Sequence, residues 1–268
     1  LIFQEAGQRI DENCELFTMR NRIIVLGGSS GIGRAVAERF AKQGWQVLVA
    51  ANDLDQCITV LSGLEGVGHI ACEVDVRSEE NIFKLQEIVK EKFGNFEALV
   101  NSVGISQDLS AIESDFGAWD NSIQIMLYGA VKSCRALIPL MADQGRIIHI
   151  TSIHYQRVAR GSSAYGMAKA AITQFARSLA IELAPRNILV NTIAPGFVIT
   201  PMSVKADGRN EVETEWFKDN YIKYDHLPLK RAAKPEEVAG VAWFLAGPDA
   251  SYMTGSVVTV DGGLTITF

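Results

Sequence analysis

No lysine- or arginine-rich run gathers anywhere in these 268 residues: 25 basic and 31 acidic side chains are interspersed and leave a formal net charge of −6. A nucleic-acid surface needs a basic stripe, so the charge pattern argues against that partner. No apolar run approaches the ~20 residues of a membrane span, so no membrane partner is expected, and the scattered cysteines point to a cytoplasmic setting. Cysteine is scarce. Cys14, Cys57, Cys72 and Cys134 are scattered without metal-ligand spacing, and the four histidines are as dispersed. Reduced thiols, mostly buried, and no metal site are the expectation. Neither an internal repeat nor a Gly/Ser/Pro-rich linker divides the chain, and α/β domains commonly reach this length undivided.

Apolar residues are plentiful, at 48%. From Arg22 onward short apolar runs alternate with helical segments. Ile23–Leu26, Val47–Ala50, Ile70–Val74, Ala98–Val100, Ile147–Ile150 and Ile188–Ile193 read as strands, while Gly31–Gln43, Phe116–Met141 and Ser162–Leu183 read as helices. Strands this continuously apolar are covered by helices on both faces. Their alternation with helices implies right-handed crossovers and one Rossmann-type, doubly wound parallel β-sheet of about seven strands. Residues 19–268 form this domain. Residues 1–18, ahead of Met19, are polar and lack a signal-peptide pattern; they are a cloning remnant, an over-extended reading frame or an amphipathic extension.

The first strand runs into Gly27-Gly-Ser29-Ser30-Gly31-Ile32-Gly33. A glycine-rich turn that ends a strand and opens a helix brings backbone N–H groups to a pyrophosphate at the helix N-terminus, so dinucleotide binding is expected there. Further on, Tyr165 and Lys169 stand four apart in a helical segment and point the same way. An ammonium beside a phenol is expected to lower the phenol's pKa and make it a proton donor or acceptor for carbonyl/alcohol interconversion. Tyr128 and Lys132 repeat the spacing, but no hydroxyl precedes them at a suitable distance. Ser152 stands thirteen residues before Tyr165, at the end of the fifth strand, where side chains face the ligand crevice of such a sheet.

The Gly27-x-x-x-Gly31-x-Gly33 spacing, Ser152 and Tyr165-x-x-x-Lys169 together resemble the short-chain dehydrogenase/reductase family from about Arg22 to the C-terminus. The resemblance implies an NAD(P)-dependent oxidoreductase in which Tyr165 is acid/base, Ser152 steers the substrate oxygen and Lys169 holds the ribose. It assigns Asp75-Val76 to the adenine, Asn101 and Gly104 to the floor under the cofactor, and Pro195-Gly196 with Val198 and Thr200 to the nicotinamide. The family's cofactor-discriminating place is Ala51, followed by Asn52. An uncharged Ala51, with Asn52 and Ser29 or Ser30 as donors, favours NADP(H) over NAD(H). Asp53 is either a ribose ligand or the N-cap of the next helix. His154 is a substrate ligand or an exposed loop residue. Residues 202–228, with Trp216, Phe217 and Tyr221, form a lid over the substrate.

The chain departs from the family at Leu26, at Ser102-Val103, and at Met126, which stands where the family has the asparagine of its proton relay. The family also implies a homotetramer or homodimer. A 3-oxoacyl thioester and a sugar or polyol are both candidate substrates, since the pattern resembles 3-oxoacyl-[acyl-carrier-protein] reductases and glucose dehydrogenases alike. A catalytically weak dinucleotide-binding sensor or scaffold is the alternative, motivated by Met126.

Overall fold

A computed structural model describes residues 21–205 and 208–267. The N-terminal segment 1–18, with Cys14, lies outside the described residues.

Seven strands form one parallel sheet in the order β3-β2-β1-β4-β5-β6-β7. They are β1 (Arg22–Leu26), β2 (Gln46–Ala51), β3 (Ile70–Glu73), β4 (Phe96–Asn101), β5 (Met141–Ile150), β6 (Leu189–Pro195) and β7 (Val257–Val260). Side chains alternate across a strand, and the sequence sends each alternate set into its own core. Ile23, Val25, Val47, Val49, Ala98, Val100 and Ile148 enter one cluster. Ile24, Leu26, Leu48, Ala50, Leu99 and Ile147 enter the other. Phe96 breaks the alternation because the β4–β5 register shifts between Phe96 and Ala98.

Helices α1 (Gly31–Lys42) and α7 (Pro235–Ala246) close the first face. Phe40 pins them together, standing edge-on to Trp45 and Trp243 with ring centroids 5.1 Å away in each case. The second face is covered by α3 (Glu79–Lys92), α5 (Gly129–Leu137) and α6 (Ser163–Glu182). Side chains that accept the orphan amides start three of the helices. Asp53 caps α2 (Leu54–Ser62), Ser78 caps α3, and Asp115 caps α4 (Phe116–Ile123).

The helix expected over Phe116–Met141 is not continuous. After α4 the chain makes a π-helical turn at Gln124–Tyr128 before α5, and a 3-10 turn at Ile138–Leu140 follows. Pro139 in that last turn stops the helix, and Met141 already opens β5. Strand order reverses between β1 and β4, which opens a crevice beyond their C-terminal ends. No helix among the described residues is long and apolar enough to cross a membrane, and no cluster of three or more metal-ligating side chains occurs among them.

Candidate active site

A cavity of about 760 Å³ occupies that crevice. It is lined from the C-terminal ends of six strands, because parallel strands present all those ends on one side of the sheet. Ser29, Ser30, Gly31 and Ile32 follow β1, Asn52 follows β2, and Asp75 and Val76 follow β3. Gly104 follows β4, Ser152 and His154 follow β5, and Pro195, Gly196, Val198 and Thr200 come from β6 and its continuation. Tyr165 and Lys169 reach in from the first turns of α6, and Trp216 closes the far side. Gly27 also lines the cavity.

Gly33 and Asn101 are exceptions among the expected cofactor residues. Neither is on the wall. Gly33 packs the start of α1 against the Gly27 carbonyl. Asn101 is buried beneath the floor, where its Oδ1 accepts the Val103 N–H at 3.1 Å.

Lys169 Nζ donates to the Ile150 carbonyl at 3.0 Å and lies 5.5 Å from the centre of the Tyr165 ring. Stripped of water, the ammonium has its pKa lowered to about 8. The expected lowering of the Tyr165 pKa is not found. Burial raises it, and a hydrogen bond with Ser152 opposes that only in part. The reason is desolvation: the phenolate would lose more hydration than the neighbouring groups restore. Tyr165 is thereby held as a protonated acid.

His154 stands edge-on to Tyr165, with centroids 5.6 Å apart. Burial lowers its pKa, and its Nδ1 has no hydrogen-bond partner among the described residues. It is therefore a half-buried ring on the cavity wall beside Tyr165 rather than an exposed loop residue.

Asp53 is a cap. One carboxylate oxygen accepts the Gln56 N–H at 3.0 Å and the other the Gln56 side-chain amide at 2.8 Å. Asp75 is also engaged, by the Arg77 guanidinium at 2.7 Å, which holds its carboxyl below the usual range. Arg77 follows Asp75-Val76 directly and lines the cavity. Its spacing was legible, but the pairing was not.

Met126 sits in the π turn, fully buried with Ile123, Ala130, Ala164, Ala168 and Ile172, against the helix that carries Tyr165. It fills core space and does not reach the cavity. Tyr128 and Lys132 stay outside as well; Lys132 Nζ caps the Arg77 carbonyl at 2.9 Å.

The lid aromatics divide. Trp216 is half exposed on the cavity rim, while Phe217 is buried. Phe217 and Tyr221 pack on Phe197, the residue after Gly196, at 4.9 and 4.7 Å between centroids. Tyr221 lines the cavity together with Phe197, Glu211 and Arg160, which the sequence did not single out. They sit in loops whose mutual placement no local pattern reveals.

Inside β5, His149 is a fully buried imidazole whose pKa burial and the Lys169 charge lower from 6.5 to about 4. The unfolded chain then takes up this proton first. The contribution to stability is complete above pH 6.5 and is lost as pH falls towards 4. Between pH 7 and 5 the loss is about 2 kcal/mol. Thermal melts of wild type and His149→Phe at both pH values test this, and a pH difference common to both proteins would refute it.

A dinucleotide fits the cleft on a local ground. At its glycines the Gly27–Gly33 turn has no room for a side chain, since a Cβ on Gly27 would meet the Ser102 backbone at 2.8 Å and one on Gly33 the Gly27 carbonyl oxygen at 2.1 Å. The turn therefore offers bare backbone amides at the start of α1.

The family model described as enoyl-(acyl carrier protein) reductase matches residues 27–265. The 3-oxoacyl-[acyl-carrier-protein] reductase of Thermotoga maritima is 34% identical over 248 residues, covering 91% of this chain and 97% of its own. Carbonyl reductase family member 4 of Xenopus laevis is 35% identical over 246 residues, with 90% and 97% covered. Among solved structures, the aldohexose dehydrogenase of Thermoplasma acidophilum superposes with a TM-score of 0.81 at 28% identity, over 93% of this chain and 95% of that one. A short-chain glucose/ribitol dehydrogenase from Brucella melitensis does so at 0.82 and 30%, over 91% and 96%. Likeness of this extent in sequence and in sheet architecture shows that the chain is an oxidoreductase belonging to the short-chain dehydrogenase/reductase family.

Proposed function

We propose that this enzyme reduces the ketone of a 3-oxoacyl thioester with NADPH. The observation that carries the reading is geometric: Ser152, Tyr165 and Lys169 converge on one cavity whose far end is walled by the apolar Ile153, Phe197, Met202 and Trp216, and the buried phenol of Tyr165 is placed to give a proton to a ketone oxygen. The nicotinamide supplies the hydride when bound. The chain's residues do the rest. Ser152 donates to the carbonyl oxygen, Tyr165 delivers a proton to the same oxygen as it becomes an alkoxide, and Lys169 offers its ammonium to the ribose. Gly27 and Ser29–Ile32 receive the pyrophosphate, and Pro195, Gly196, Val198 and Thr200 hold the nicotinamide end.

Met126 does not weaken this reading, because it serves the core while Ser152, Tyr165 and Lys169 converge on one cavity. Phe197, Ile153, Met202 and Trp216 give the substrate end an apolar wall that suits an acyl chain. His154 and Glu211 at the same end favour a second reading, a sugar or polyol, in line with the named activity of the Thermoplasma neighbour.

NADP is preferred because β2 ends in the uncharged Ala51, Asn52 and Ser30 face the cavity, and Asp53 spends both oxygens on its cap. Calorimetry is expected to show NADP binding at least about fivefold tighter than NAD. Ala51→Asp is expected to reverse the order by repelling the 2′-phosphate and binding the ribose hydroxyls. Equal affinities in both proteins would defeat the assignment. Acetoacetyl thioesters with NADPH, run beside aldohexoses and polyols with NADP+, decide the substrate. Turnover of the sugars alone would replace the first reading by the second.

A further inference from the structure

His149 has no part in the chemistry above, yet it is fully buried in the middle of β5 beside Asn101 of β4, its partner in the strand register. Its protonation can be worked out from its neighbours. A backbone N–H is a donor without ambiguity, so the bond from Val103 N to Asn101 Oδ1, 3.1 Å, fixes which end of that carboxamide is oxygen. Asn101 Nδ2 then faces His149 Nδ1 at 3.5 Å. Two nitrogens can share a hydrogen bond only if one carries a lone pair, and the amide nitrogen has none to give. His149 Nδ1 is therefore the acceptor, and the ring proton is on Nε2.

Nε2 lies 3.9 Å from the Cys134 sulfur, whose thiol burial pushes up to about 12 and keeps protonated. Phe175 closes the pocket edge-on, with ring centroids 6.2 Å apart. An imidazolium could not accept from Asn101 at all, which agrees with the strongly lowered pKa.

Asn101 ends β4, and the chain after it becomes the cavity floor: Ser102, Val103 and Gly104 all line it. That floor touches the machinery at both ends. The Ser102 backbone lies against Gly27, and Lys169 Nζ lies 3.4 Å from where a Cβ on Gly104 would stand. Replace the acceptor at position 149 by carbon, and the buried Asn101 amide loses its partner. The carboxamide can then seek a new partner only by turning, which releases Val103.

We propose that His149, as the Nε2–H tautomer, is a positioning residue for the cofactor floor: it holds Asn101 in the one orientation that fixes residues 102–104. The proposal rests on the dinucleotide reading of the cleft.

The first test needs no cofactor. Selective 15N-histidine labelling of the full chain is expected to show the His149 ring protonated at Nε2 and bare at Nδ1, and the opposite tautomer would overturn the proposal. The second compares His149→Phe, which keeps a ring and removes the acceptor, with His149→Gln, which keeps an acceptor. Calorimetric titration with NADP and NAD is expected to show the Phe variant weakened about tenfold and the Gln variant within about twofold of wild type. Substrate KM at saturating cofactor should stay unchanged in both. A folded Phe variant that binds as tightly as wild type, or a Gln variant as weak as Phe, overturns the proposal while leaving the cleft reading intact. Should the Phe variant not fold, the tautomer and the Gln titration decide. A wild-type chain that binds neither dinucleotide defeats the cleft reading and this proposal with it.

Discussion

Tyr165→Phe is expected to lower turnover by about a thousandfold while leaving the dinucleotide dissociation constant within about twofold of wild type. The ring survives the change, and with it the edge-on contact to His154 and the burial that packs α6 on the cavity. Only the hydroxyl goes. Ser152 loses its partner across the site but remains anchored by the His154 N–H, 3.2 Å from its Oγ, and Lys169 keeps the Ile150 carbonyl. Nothing that receives the dinucleotide moves. What disappears is the proton on a group whose high pKa keeps it loaded at neutral pH. Steady-state rates at saturating substrate, with calorimetry on the same preparation, read both quantities. Turnover within tenfold of wild type would remove Tyr165 as the acid. It would put the acid elsewhere in the cavity, whereas a wild-type chain that binds the dinucleotide and turns over nothing would favour the sensor or scaffold.

Gly33→Ala is expected to abolish dinucleotide binding and to destabilise the whole domain. A Cβ on Gly33 would stand 2.1 Å from the Gly27 carbonyl oxygen and 2.8 Å from its carbon. The obstruction is backbone, so no rotamer change relieves it. Either α1 slides away from the turn, or the turn opens. Sliding would disturb the packing of Phe40 between Trp45 and Trp243 that joins α1 to α7. Opening would scatter the amides that the Gly27–Gly33 turn presents. Overpacking of this kind costs about 1–3 kcal/mol where side chains can yield, and more where they cannot. A melting temperature lowered by 5 °C or more, on the order expected for that cost, and a dinucleotide affinity down at least about a hundredfold are the expected readings. Wild-type affinity in a folded Gly33→Ala protein would show that the turn is not the phosphate site.

The Met126 position shows how a departure from a family pattern is to be weighed. A missing relay asparagine suggests a slowed enzyme when the residue is considered alone. In the fold, the π turn at Gln124–Tyr128 gives the helix one extra residue and places Met126 in the packing under α6. Its buried thioether packs under the helix that carries Tyr165 and Lys169.

Ser152, Tyr165 and Lys169 were legible because each is fixed by a short-range rule: the end of an apolar strand, the first turns of a helix, and a four-residue helical spacing. The glycine turn was legible for the same reason. Asp53 and Asp75 were less so, since a carboxylate at a strand end reads alike whether it faces a ligand or a neighbouring side chain. Gln56 and Arg77 took them.

The sequence by itself pointed to the doubly wound sheet, because the Gly27–Gly33 turn after the first strand separates it from the barrel that the same alternation of apolar strands and helices can also build. It also singled out Ser152, Tyr165 and Lys169, which the fold brings to one cavity. Only the tertiary structure bears on their chemical state. Whether Tyr165 is acid or base, whether Lys169 is fully charged, and which nitrogen of His149 holds a proton all depend on desolvation and on partners distant in the chain. Those are properties of the space the folded chain encloses, and no local pattern of residues contains them.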